Sequence, residues 1–398
     1  MESPEDPPLS ISSSARPSGH HINSLDGLRG CAFLLVFFFH YGMSAHANAA
    51  WVFYATYVTT GLWFGVDLFF VLSGFLITGI LLDTREDPNY FRNFYARRAL
   101  RIFPLFYGVL FLLVVLTPFL HLRWRAGHMA QFFYLGNVAG HVDPSLNDLL
   151  PYVNLVHLWS LAVEEQFYLI WPLVVLWVSD RRTLIRVCLG TICFSFLLRC
   201  LLLWQFPNHA QEWSYGELPT HCDGLLCGAI AAVLVRSTDL STLIRRSRGL
   251  FVLSLLGMSW LAVHYRGFGY HYIGMTAFVY PLLAVFFTCI LLRTIQPGTF
   301  FSRLGRTPVL RFFGKYSYGM YIYHVLFFPV VCRLLPPMQR LLHSRAWGGV
   351  AYVLVVLGLT CIVSVLSYQL YERHWLRMKS RFAYSKPKPA VRDMAPAS

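Results

Sequence analysis

Of the 398 residues, 56% are hydrophobic and 17% aromatic but only 13% charged, which is too apolar for a soluble globular surface and predicts that lipid covers much of the molecule. The formal net charge of +14 reads as a topology signal and as attraction to anionic headgroups. A nucleic-acid footprint is disfavoured, because no aromatic-basic recognition module occurs in a soluble segment.

In chain order, residues 1–24 are rich in Pro and Ser, lack a signal-peptide core, and are expected to form a disordered cytoplasmic lead. Ten apolar stretches then reach or approach the roughly 20 residues that cross a bilayer as helix. They lie at 29–46, 58–82, 102–120, 158–178, 184–205, 222–236, 250–266, 272–293, 316–335 and 349–371. Period-two alternation is absent, so the expected fold is an all-α polytopic membrane protein, a bundle of about ten transmembrane helices. The patch at 129–139 is about half a span and is expected to be a short re-entrant or interfacial segment.

Arginine placement supports that choice. The connectors 83–101, 179–186, 236–248 and 293–315 are Arg-rich, and the tail at 376–398 is basic. If 129–139 does not cross, all four connectors and both termini share one side, which the positive-inside rule makes cytoplasmic. The expected location is a cell (inner or plasma) membrane. The nine cysteines are scattered, with no metal-ligand spacing, and read as small apolar residues; no metal site is expected.

Ionisable residues at membrane depth are costly and therefore mark either internal pairing or a substrate path. Arg29 and His40 lie eleven residues apart, roughly 16 Å along a helix, so Arg29 is placed near the cytoplasmic mouth and His40 near mid-membrane. Asp67, Glu164, Glu165 and His324 also fall within apolar stretches. Gly61-x-x-x-Gly65 and Ser73-Gly74 suit close helix approach. Arg97, Arg98 and Arg101 suit snorkelling, or bidentate contacts to phosphate.

These segments, taken in order, resemble the signature blocks of the integral membrane acyltransferase-3 family. The blocks are Leu25-Asp26-Gly27-Leu28-Arg29-Gly30 with His40, Phe69 to Ile77, Arg98-Ala99-Leu100-Arg101-Ile102-Phe103-Pro104, His157 to Tyr168, Cys222 to Gly228, and Tyr316 to His324. The resemblance runs from Leu25 to about Trp375 and marks 25–375 as a transmembrane acyltransferase domain. Two features depart from the pattern: His221 stands where an arginine is expected, and no esterase-like C-terminal domain of the kind some members carry is expected, so that delivery to the acceptor is expected to be unaided.

The resemblance implies an enzyme of the EC 2.3.1 type, transferring an acyl group, usually acetyl, from cytoplasmic acyl-CoA to a hydroxyl of a cell-envelope polysaccharide or other glycosylated acceptor. Acyl-CoA is then a donor co-substrate and no bound cofactor is needed. Under this reading His40 is general base or transient acyl carrier, and Arg29 positions the donor or stabilises charge. Glu164, Glu165 or Asp67 orient His40 or bind acceptor hydroxyls, Ser73 lets the donor approach closely, and Arg98 and Arg101 meet CoA phosphates. Asp223 and His324 join the substrate-binding set. Outer connectors 121–157 and 206–221, with Glu212, Trp213, Tyr215 and Glu217, are the expected place for sugar contacts. The competing reading is a secondary transporter or flippase, which predicts inverted repeats and an unmodified substrate.

Overall fold

A computed structural model describes residues 22–42, 59, 61–265, 267, 269 and 273–384. Ten long helices follow the apolar stretches: α1 Asn23–Gly42, α2 Gly65–Asp83, α3 Tyr90–Leu120, α4 Trp159–Trp177, α5 Arg181–Gln205, α6 Asp223–Ser237, α7 Arg248–His264, α8 Ile273–Ile295, α9 Pro308–Leu326 and α10 Arg345–Ser367. Local chemistry sets several boundaries. Asp180 caps α5 by accepting from the Thr183 amide at 2.8 Å, Ser344 caps α10, and Pro308 occupies the first turn of α9, where no amide proton is required.

The ten helices differ in how well they suit a bilayer. Five helices among the described residues are long and apolar enough to span a bilayer, or up to seven if two bent pairs each count once. One such pair joins Leu240–Arg246 to α7 with a 42° bend, and the other joins α9 to Phe328–Leu341 with a 65° bend. The helices that fail the test are α1, α4 and α6. α6 has 15 residues, about 22 Å of helix against the ~30 Å of a hydrocarbon core. α1 opens with polar turns, and α4 carries Glu164, Glu165 and Gln166.

α4 exposes Leu169, Ile170 and Trp177 along its second half, and the apolar windows of α5 and α10 are only 17% and 28% buried, which suits them to an outer wall facing lipid. The window of α2 is 72% buried, so α2 is an inner helix. α2 packs along α6, and α1 along α9. Both pairs touch backbone to backbone. A Cβ at Gly74 would fall on the carbonyl of Leu225, and one at Gly314 on the carbonyl of Asp26, so glycine is what permits the approach.

The segment at 129–139 does not cross. It forms a 3-10 stretch, Ala126–Phe133, and a short helix, Gly136–Val142, followed by a two-stranded hairpin pairing Asp148 with Asn154 and Leu149 with Val153. At the opposite end the Arg-rich connectors meet. Arg236 pairs with Asp83 at 2.6 Å, Arg85 donates to the carbonyl of Ser179, and the Ser24 hydroxyl donates to the carbonyl of Thr294.

Residues 23 and 24 belong to α1, with Ser24 buried, while 1–21 of the expected lead lie outside the described residues. At the start of the basic C-terminal tail, Arg373–Arg377 is helical and the following turn packs on α3. The remainder, 385–398, lies outside the described residues.

Candidate active site

Two cavities meet where α1, α3 and α9 come together. The outer one, about 650 Å³, is a basic vestibule lined by Arg29, Arg97, Arg98, Arg101, Arg311, Lys315 and Lys379, with Asp26 as its one acid. The inner one, about 120 Å³, lies between α1, α2, α3, α4 and α9. It combines apolar walls (Val66, Phe69, Phe70, Leu72, Ile102, Leu161) with Ser73, Ser160, Glu164, Tyr168, Ser317 and Tyr321. Arg29, Arg98 and Arg101 line both and form the threshold between them. Arg29 is steered by Asp26 one turn earlier, at 3.3 Å.

Inside, Ser73, Tyr168 and Glu164 form a hydrogen-bonded chain. The hydroxyls of Ser73 and Tyr168 are 2.5 Å apart, and Tyr168 lies one turn from Glu164, donating to its Oε2 at 3.1 Å. The Arg98 guanidinium sits over the Tyr168 ring, 5.0 Å from its centroid. Glu165 does not line either cavity; its Oε1 is buried without a hydrogen-bond partner.

His40 stands one layer further in. Eleven residues is close to three helical turns, so Arg29 and His40 leave nearly the same face of α1. The His40 ring packs 5.0 Å from that of His324, which in turn is 5.4 Å from His157 and 5.4 Å from Tyr321. Each imidazole is pinned by a backbone carbonyl. His40 Nδ1 meets Val36 O at 2.9 Å, His324 Nδ1 meets Tyr321 O at 2.8 Å, and His157 Nε2 meets Ile322 O at 3.0 Å. Because a carbonyl only accepts, these nitrogens donate, and in a neutral ring the opposite nitrogen carries the lone pair. For His324 Nε2 and His157 Nδ1 that lone pair is buried and unpartnered. Tyr321 links the imidazoles to the inner cavity, since its hydroxyl bonds both Ser160 and the carbonyl of His157. Among the described residues no group of three or more His, Cys, Asp and Glu side chains could hold a metal ion.

Asp67 and Asp223 belong to a separate buried cluster. Asp67 lies six residues before Ser73, about 120° around the helix, and faces α6 rather than the cavity. Its Oδ1 is 2.9 Å from His221 Nε2, and His221 Nδ1 donates to Tyr215 O at 2.6 Å. Asp223 is held by Arg199 through two bonds of 2.7 and 3.0 Å, with both side chains fully buried. The ring of Tyr280 stacks on His221 at 4.0 Å and lies beneath Arg199, joining the two pairs.

The chain matches the profile of the acyltransferase-3 family, described as an acyltransferase domain, over residues 22–369. The chain belongs to this family. It is 30% identical over 379 residues to the peptidoglycan O-acetyltransferase OatA of Listeria monocytogenes, covering 90% of this chain and 56% of OatA. It is similarly 30% identical over 377 residues to YrhL of Bacillus subtilis, provisionally a peptidoglycan O-acetyltransferase, covering 89% of this chain and 55% of YrhL. The chain thus spans little more than half the length of these relatives. No solved structure matches it. The family match and the apolar helices make this a multi-pass membrane acyltransferase domain.

Both cavities and the three imidazoles of this acyltransferase domain fall mainly within the matched residues; Lys379 and Tyr384 of the vestibule lie beyond them. Of the residues singled out from sequence, Arg29, Ser73, Arg98, Arg101 and Glu164 come together around the inner cavity, and His40 with His324 behind it. Sequence reasoning gave no role to Tyr168, Tyr321, Ser160 or His157, although all four sit inside the quoted blocks. It also missed Arg199, a lone arginine in an apolar helix, which should have signalled a buried acidic partner. At the other end, Glu217 is occupied by His141 at 2.6 Å and by Asn137, and Tyr215 packs 4.4 Å from Trp159; these two brace the fold where sugar contacts were expected.

Proposed function

We propose that this domain is an O-acyltransferase, moving acetyl from cytoplasmic acetyl-CoA to a hydroxyl of a cell-envelope glycan. The observation that carries the reading is the sequence of compartments: a strongly basic vestibule, a narrow cavity with an apolar wall, and a set of three imidazoles behind it. Peptidoglycan is the leading acceptor, because the relatives OatA and YrhL bear that name. The Arg-rich end faces the cytoplasm, as the positive-inside rule requires of its connectors.

In this reading the phosphates of the donor rest in the vestibule, where guanidinium groups offer paired donors. The thin pantetheine arm and its thioester pass Arg29 into the inner cavity. His40, its Nδ1 proton committed to Val36, takes the acceptor's hydroxyl proton at Nε2. The acceptor oxygen attacks the thioester carbonyl carbon, the hydroxyl of Tyr168 or Ser73 stabilises the oxyanion, and Arg29 holds the donor at the threshold. Collapse breaks the carbon–sulfur bond, and the CoA thiolate leaves with a proton returned from the imidazolium. His324 and His157 stand beside His40, and a sugar hydroxyl reaching that layer can donate to their buried nitrogens.

Mass analysis of envelope glycans from cells with and without the protein tests the proposal. An acetyl-sized increment that depends on the protein, and that carries label from acetyl-CoA in isolated membranes, is expected. Unmodified glycan, with flux of an unaltered solute instead, would replace it with the transporter reading.

A further inference from the structure

After α10 the chain turns back beneath the bundle as a strap. Its turn, Met378–Phe382, and the two residues that follow lie against the start of α3. The Arg97 guanidinium donates to the carbonyls of Lys379 and Phe382 at 3.1 and 3.3 Å, and Asn93 donates to that of Ala383 at 3.3 Å. Two cation–ring contacts reinforce this, Arg92 over Phe382 and Arg97 over Tyr384, at 5.6 and 5.1 Å. The strap is therefore fixed by its backbone, and the side chains of Lys379 and Tyr384 are delivered to the vestibule wall.

The charge in that vestibule is unbalanced. Seven cationic side chains line it against the single carboxylate of Asp26, which pairs with Arg29. Gathering like charges around one cavity is unfavourable unless an anion of several charges neutralises them. Its volume of about 650 Å³ suits a nucleotide-sized ligand. Lys379 adds a mobile point charge to the fixed forks of the arginines, and Tyr384 adds an aromatic face on which a base can stack.

We infer that the strap completes the donor site: Lys379 binds a phosphate and Tyr384 the nucleobase of the nucleotide part of the donor, so that this segment, beyond the family-matched residues, sets preference for a nucleotide-bearing thioester. The inference rests on the donor reading above. It makes a distinction that the inner cavity alone does not. Lys379 and Tyr384 act on the nucleotide handle and leave the thioester end untouched.

The experiment uses the full chain in nanodiscs of phosphatidylcholine, and measures binding of adenosine 3′,5′-bisphosphate together with KM for acetyl-CoA and for acetyl-pantetheine, which lacks the nucleotide. Lys379→Glu is expected to weaken nucleotide binding and raise KM for acetyl-CoA by about tenfold or more, the scale on which an attractive charge pair becomes a repulsive one. Lys379→Arg should retain wild-type binding, Tyr384→Ala should weaken it several-fold, and KM for acetyl-pantetheine should not move in any of them. Equal nucleotide affinity in wild type and Lys379→Glu, with acetyl-CoA still a donor, overturns the strap's role and leaves the donor reading standing. A wild type that neither binds the nucleotide nor accepts acetyl-CoA overturns both. If nanodiscs containing phosphatidylglycerol abolish nucleotide binding by the wild type, the vestibule is a headgroup site and the inference fails.

Discussion

Asp223 is held in a buried ion pair and lines neither cavity, and its removal tests whether it serves the framework or the acceptor. Its carboxylate receives both Nη atoms of Arg199, which also donates to Ser195 Oγ at 2.9 Å and to the carbonyl of Thr220 at 2.5 Å. Both ionic side chains are shut off from solvent, so Asp223→Ala leaves a guanidinium with neutral partners, no counter-charge and an Nε that already lacks a hydrogen bond. Breaking one side of a buried pair costs ~3–5 kcal/mol, or roughly two to three and a half decades in the folding equilibrium constant. Replacing both partners by apolar residues of similar volume is far milder, because no charge is left stranded. The assay is thermal unfolding in detergent of Asp223→Ala, Arg199→Met and the Arg199→Met/Asp223→Leu double variant. Each single variant is expected to melt well below wild type and the double variant to recover most of the difference. A single Asp223→Ala protein of wild-type thermal stability that no longer turns over acceptor would refute the reasoning and return Asp223 to the substrate.

Gly74→Val forces side-chain atoms into the Leu225 backbone, and should destabilise the α2–α6 contact by at least the ~1–3 kcal/mol of an overpacked core, read as a lower unfolding temperature. Tyr168→Phe cuts the hydroxyl between Ser73 and Glu164; with the protein folded to wild-type stability, kcat for acetyl transfer should fall by roughly tenfold or more. Arg101→Gln should raise KM for acetyl-CoA with little change in kcat, and the wild-type KM should itself rise with ionic strength as salt screens the vestibule.

Much of the architecture was legible because hydropathy reports burial from water directly. It does not separate lipid from protein, which is why α2, with a window 72% buried among other helices, reads in sequence just like the mostly exposed α5. Arg29, His40 and the Arg98–Arg101 pair were legible for a related reason: charge in an apolar context is expensive enough to be informative one residue at a time. Partnership was not. Asp67 and His221 are 154 positions apart, and nothing local distinguishes an Asp that closes on a histidine from one that faces a cavity. Tyr168 and Tyr321 were hidden among 22 tyrosines, since an aromatic in a membrane helix is ordinarily packing and its hydroxyl becomes chemistry only when a serine and a glutamate are brought beside it. Lys379 looked like part of a basic tail because its anchor on Arg97 is made by backbone carbonyls, which leave no trace in side-chain pattern.

The central claim is that His40 accepts the proton of the acceptor hydroxyl during acyl transfer. Its most direct test is the rate at which label passes from acetyl-CoA to envelope glycan in membranes carrying wild type or His40→Ala at equal protein level. The account predicts loss of turnover with adenosine 3′,5′-bisphosphate binding intact; transfer by His40→Ala at the wild-type rate would contradict it.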